Sequence, residues 1–275
     1  MLTVTASDLS AAIHSLDLSG RSICVHSSLR SFGWVDGGAA TIVRTLLDSG
    51  CTMLVPTFSE SHGTVLPPSG RVLARNALEP DFFRDGRADV FWRFSTDSLD
   101  VDAGMGAISA EVLRYPGHVR GDHPRNSFTA VGPLAHALID GQKPLDVFAP
   151  FRALADRGGL VILMGVGLNR LTLLHEAERL AGCRLFRRWG HGSGGEIVEC
   201  EEGGCSGGFE NFAPILAAFE RQILVGSSLW RVFPVRETLD AASRAIRENP
   251  AISSCSDPNC VRCADARAGG PILPE

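Results

Sequence analysis

The run LVILMGVG at residues 160–167, followed at once by LTLLHEAERLA at 171–181, constrains this chain more than any other feature. An apolar run, a glycine-bearing turn and then a helical pattern read as strand, loop and helix. Two more apolar runs, RSICVHSSL at 21–29 and TMLVPTF at 52–58, bracket a helical pattern at 39–47. Strand, helix and strand in that order form one βαβ unit, which favours a parallel pair. The expected class is therefore α/β: a single domain over 1–275 with a central, mostly parallel sheet flanked by helices. Sheets of this kind bind ligands where strands run out into loops.

Within 171–181, Leu173, Ala177, Leu180 and Ala181 fall on one side at 3.6 residues per turn, with Thr172 or Asn169 as the cap. His175 and Glu178 are three apart, hence neighbours on the surface, and are expected off that stripe. An imidazole oriented by a carboxylate suits a general base near neutral pH. The same pair is also what a solvated helix face shows by chance.

Further helices are expected at 5–16, 107–114, 133–139, 150–156, 209–222 and 235–248, with Asp36 capping 39–47. Segments 184–189 and 195–200 read as strands joined by a glycine-rich turn, and 227–232 as an edge strand. Residues 115–129 read as a polar loop and 249–275 as a loop-like tail. Residues 59–102 carry Pro67, Pro68 and Pro80, several acidic residues, Trp92 and phenylalanines. An excursion that long, with aromatics to order it, suits a substrate-binding lid or a surface insertion.

The net charge is −5 and no basic tract occurs, which argues against nucleic acid. No apolar run reaches membrane-spanning length, and no basic n-region precedes an apolar core at the N-terminus. A cytoplasmic location is expected, with the eight cysteines as reduced thiols.

HEAER at 175–179 begins like the zinc protease helix, but Arg179 stands where the second histidine must be, and a cation cannot ligate. GCSGG at 204–208 matches the nucleophile-elbow pattern, yet Glu201, Glu202 and Gly203 precede it where a strand should deliver Ser206. A serine hydrolase using Ser206 is the lesser alternative. Cys255-x4-Cys260-x2-Cys263, with Cys200 or Cys205 as a fourth thiol, is incomplete as a zinc signature. These are expected as surface thiols, with no metal assigned.

Four segments together resemble the aminoglycoside 3-N-acetyltransferase family: VHSSLRSFGWVDGG at 25–38, VPTFS at 55–59, MGAISAEVLRYPGHVRGDHPRNSFTAVGPLA at 105–135 and LMGVGLNRLTLLHEAE at 163–178. The resemblance implies an α/β fold, acetyl-CoA as donor and an aminoglycoside amine as acceptor. It places the catalytic pair on His175 and Glu178. It places acetyl-CoA contacts on His26, Ser27, Ser28 and Leu29, and on Arg120, His123 and Ser127, although His123 before Pro124 reads equally as a structural residue holding that loop. Gly121 stands where the family has serine, and Leu171 where asparagine precedes the threonine. The excursion is expected to supply acceptor contacts at Glu60, Asp81 and Asp97, with 199–210 as the alternative acidic stretch. Other primary amines stay open as acceptors, as do a non-catalytic drug binder and a homodimer.

Overall fold

A computed structural model describes residues 3–63, 65–78 and 92–274. Its strands are β1 (Thr3–Val4), β2 (Ser22–Ser27), β3 (Trp34–Val35), β4 (Thr52–Pro56), β5 (Val119–Arg120), β6 (Phe128–Val131), β7 (Leu160–Met164), β8 (Phe186–His191), β9 (Ile197–Glu202), β10 (Arg221–Val225) and β11 (Ser228–Pro234). Its helices are α1 (Ala6–Ser15), α2 (Gly38–Asp48), α3 (Glu60–Gly63), α4 (Gly106–Arg114), α5 (Ala135–Ile139), α6 (Ala149–Asp156), α7 (Leu173–Leu180), α8 (Ala213–Leu216), α9 (Val235–Glu248) and α10 (Val261–Arg267).

Seven strands form one sheet in the order β10-β11-β7-β2-β4-β6-β5. The central three, β7, β2 and β4, are parallel neighbours, and each edge closes with antiparallel pairs. Because each edge reverses direction twice, β10 and β5 point the same way as the central three, and the sheet is mostly parallel in direction. The apolar runs explain the centre. Ile23, Val25, Met53, Val55, Ile162 and Met164 face a core shared with α1, α2 and α4. The alternate residues Cys24, Leu54, Val161 and Leu163 face a second core shared with α5, α6, α7 and α9. Strands covered on both faces have no need of polar alternation, so they read as unbroken apolar runs.

Several expected boundaries are corrected. Residues 115–129 were expected as loop, but they contribute β5 and lead into β6 on the sheet edge. The expected helix at 209–222 is a short 3-10 turn and α8, after which the chain becomes β10. Pro214 at the start of α8 permits that short helix, and Gln222, Ile223 and Leu224 alternate as an edge strand does. β11 is consequently an inner strand and β10 the edge. Gly37, with no side-chain cap, starts α2 where Asp36 was expected to cap it. Thr172 precedes α7 without a capping bond. The tail is ordered by α10. No helix of the described residues is long and apolar enough to cross a membrane.

Candidate active site

The parallel strands β2, β4 and β7 all run out into one cleft of about 1430 Å3. Its wall holds His26, Ser27 and Ser28 from the end of β2, Pro56 and Phe58 from the end of β4, and Gly165 and Val166 just past β7. From the sides come Arg30, Trp34 and Gly37 ahead of α2 and Gly38 at its start, Gly104–Ala107 at the start of α4, Thr172 just before α7 and His175 within it, and Glu202–Gly204 at the end of β9. None of the cysteines lines it among the described residues.

His175 and Glu178 meet as the helical spacing requires, with Nδ1 2.7 Å from Glu178 Oε2. The ring is not on a solvated face, however. Its side chain is 10% exposed, and it packs between Phe148, parallel at 6.1 Å, and Phe209 at 4.7 Å. The expected stripe is corrected accordingly: Leu180 is exposed, while Leu174, His175 and Glu176 are buried. Glu176 is held inside by Arg152 and Arg179, an ion-paired brace beneath this turn of α7. Gly203 lies directly against the imidazole. A Cβ there would come 2.5 Å from Cδ2 and 2.9 Å from Nε2 of His175. Nε2 has no hydrogen-bond partner among the described residues, so with Nδ1 occupied by Glu178 it is the nitrogen left for chemistry in the cleft.

The cleft has groups of both signs. Glu202 ends β9 almost fully buried, contacting Arg125 at 2.6 Å and Arg188 and Arg262 at 3.6 Å. Burial opposes its charge, but Arg125, Arg188 and Arg262 together hold its carboxyl down to about 2. Glu60 lines the same cleft beside Asn126 Nδ2, and burial together with the Glu202 charge pushes its carboxyl up. Sequence reasoning did not single out Glu202. The available signal was the alternation in β9 that buries Cys200 and Glu202 on one face. Arg30, Arg170 and the N-terminus of α2 at Gly37 and Gly38 also line the cleft. His26 shares the face of Cys24, and burial plus Arg170 lowers its imidazole to about 4, so it is neutral at pH 7.

The remaining expected residues separate. Leu29 and the serines at 27 and 28 are in the wall. Arg120, His123 and Ser127 lie behind it. Arg120 donates to Ser127 Oγ at 2.9 Å and to the carbonyls of Thr57, Ser98 and Asp100, tying the 92–102 segment to the end of β4. His123 is fully buried. Its Nδ1 accepts from the N–H of Asn126 at 2.8 Å, which leaves Nε2–H to donate to the Glu201 carbonyl at 3.0 Å. Burial and Arg125 lower its imidazole to about 3. Asp97 is exposed and away from the wall, and Asp81 lies outside the described residues. Ser206 is in the wall, in a turn rather than an elbow, and no histidine contacts its hydroxyl among the described residues.

The sequence model described as aminoglycoside 3-N-acetyltransferase matches residues 24–247. Aminoglycoside N(3)-acetyltransferase VIII of Streptomyces fradiae is 33% identical over 174 residues, covering 59% of this chain and 56% of that protein. The alignment thus spans a little over half the length of that curated relative. A variant of aminoglycoside acetyltransferase AAC(3)-IVa in complex with a gentamicin shares the fold, with a TM-score of 0.78 at 22% identity over 98% of each chain. So does AAC-IIIb in a binary complex with CoASH, with a TM-score of 0.72 at 21% identity over 90% of this chain and 97% of that one. By its sequence over residues 24–247, and with a fold to match, this chain belongs to the aminoglycoside 3-N-acetyltransferase family.

Proposed function

We propose that the protein transfers the acetyl group of acetyl-CoA to an amine of an aminoglycoside, the 3-amino group of its 2-deoxystreptamine ring, and so confers resistance. The observation that carries this reading is the His175–Glu178 pair at 2.7 Å, in a cleft lined by both arginines and carboxylates. The family's membership and the gentamicin and CoASH complexes of its fold neighbours support it.

The chemistry needs a deprotonated amine, an oriented thioester and a place for the oxyanion. Glu178 accepts from Nδ1–H, which fixes the tautomer and leaves Nε2 as acceptor for the amine's proton. As the amine nitrogen bonds to the carbonyl carbon, His175 becomes imidazolium and Glu178 balances that charge. Collapse expels CoA as its thiolate, and the imidazolium proton neutralises it. The N–H of Ser28 is bonded to the Met164 carbonyl at 2.9 Å and is unavailable to the oxyanion. The hydroxyls of Ser28 and Thr172 line the cleft and have no partner among the described residues, so they are the donors assigned to the oxyanion or the pantetheine. The α2 N-terminus, Arg30 and Arg170 suit the phosphates of CoA. Glu60, the less buried of the two acids, is assigned to an ammonium group of the acceptor. Arg120, His123 and Ser127 act by positioning the cleft's wall.

Product analysis tests this. Incubation with acetyl-CoA and a panel of aminoglycosides and simple amines should give mono-acetylated aminoglycoside with one thiol released per product. Binding of drug without thiol release would leave only a sequestering role. Ester hydrolysis independent of acetyl-CoA would favour Ser206.

A further inference from the structure

Four of the eight cysteines are scattered: Cys24, Cys51 and Cys200 are buried singly, and Cys183 lies past α7. The other four converge. Cys205 sits in the turn after β9, and Cys255, Cys260 and Cys263 come from the tail. All four Sγ atoms lie within 4.8 Å of one another, and those of Cys255 and Cys263 are 3.6 Å apart. A zinc ion bound by four thiolates at about 2.3 Å puts tetrahedral sulfurs about 3.8 Å apart. A disulfide needs about 2 Å, and all four are free thiols. Only Cys263 of the four is buried, so the cluster is not a piece of apolar core.

The backbone is arranged around the sulfurs. Cys260 precedes α10 and Cys263 lies in its first turn, which brings residues three apart to one side. The N–H of Cys255 donates to Cys263 Sγ and that of Gly207 to Cys205 Sγ, each at 3.4 Å. Backbone donors of this kind commonly support metal-bound ligands from the second layer. The two segments meet closely: a Cβ at Gly207 would lie 2.8 Å from Cys255 Cβ, and one at Gly208 would overlap the Ser254 carbonyl.

We propose that Cys205, Cys255, Cys260 and Cys263 form a structural zinc site that fastens the C-terminal segment to the turn beside the active cleft. Four protein sulfurs leave no open position, so the ion has no catalytic role. Each ligand thiol gives its proton to solvent as it binds the metal. The site goes beyond the proposed acetyl transfer and does not rest on it, but it bears on the same cleft. Gly203, two residues before Cys205, touches His175, and Arg262, between two ligands, reaches Glu202 at 3.6 Å.

The test is metal analysis of the full chain, expressed with added zinc and purified under reductant without chelator. The expected result is about one zinc per chain, a melting temperature that falls when a strong chelator removes it, and recovery on re-addition. Cobalt added to the apo-protein should give the intense sulfur-to-metal charge-transfer absorption of a tetrathiolate. Cys205→Ser and Cys260→Ser should lose that absorption or weaken metal binding at least tenfold, while Cys183→Ser keeps both. Should a ligand variant fail to fold, the cobalt titration of the wild-type chain still decides. Folded wild-type protein with no zinc above background and no cobalt absorption, or with these cysteines joined as disulfides by mass analysis, overturns the proposal.

Discussion

Replacing Gly203 by alanine adds one methyl group and changes no charge and no hydrogen-bonding atom. The new Cβ would meet His175 at 2.5 Å from Cδ2, 2.6 Å from Cγ and 2.9 Å from Nε2. Carbon atoms rest near about 3.5 Å apart, so the ring and the turn must separate by about 1 Å. The ring has little freedom to absorb this, being bonded to Glu178 and packed between Phe148 and Phe209. A 1 Å misplacement of a reacting group costs about a hundredfold. Gly203→Ala is therefore expected to lower kcat by ten- to a hundredfold, with KM for acetyl-CoA unchanged. Gly204→Ala is the control, because its Cβ meets only Phe186 Cε2 at 3.4 Å. Steady-state thiol release, with thermal melts of both variants, reads the difference. If folded Gly203→Ala turns over like wild type, or both variants lose activity alike, the close packing of Gly203 on the base does not matter.

Glu60→Gln should raise the acceptor KM several-fold and leave that for acetyl-CoA alone, whereas Asp97→Asn should change neither, since only Glu60 lines the cleft. Arg125→Met should destabilise the fold by about 3–5 kcal/mol, measured by denaturant unfolding, because it strips the nearest cation from a buried Glu202. A loss under about 1 kcal/mol would contradict that. Stability should fall in acid. His26 and His123 have imidazoles lowered from 6.5 to about 4 and about 3, so the unfolded chain binds protons that the native chain refuses. The native advantage is full above about pH 6.5 and is lost as pH falls toward 4 and 3, on the order of 1.4 kcal/mol per unit for each histidine. His123→Gln should flatten that slope, and an unchanged slope would count against it.

The centre of the fold was legible because β2, β4 and β7 are covered on both faces and read as bare apolar runs. Its edges were not. β5 has two residues, and β10 is an edge strand whose exposed Leu224 reads equally well as part of an amphipathic helix. The His175–Glu178 pair was legible because a three-residue spacing is local. Its burial was not, since Phe148, Phe209 and Gly203 reach it from elsewhere in the chain. Arg120, His123 and Ser127 were assigned to cofactor contact, with a structural role left open for His123; their polar atoms bond protein groups, and sequence alone does not tell lining from backing. The three tail cysteines were legible as a spaced set, but the fourth thiol was left between Cys200 and Cys205, because Cys205 lies 50 residues before Cys255 and spacing cannot join them.

The proposed acetyl transfer depends on His175 acting as the base in a ternary complex. Because its ring fills a buried slot, His175→Gln is the fitting change: it occupies most of the space and removes the base. Thiol release from acetyl-CoA should require both a folded enzyme and an aminoglycoside, and His175→Gln should lower it by about a hundredfold or more while the chain stays folded. A near-normal rate in the variant, or acetyl transferred from acetyl-CoA to the wild-type protein with no amine present, would contradict the account.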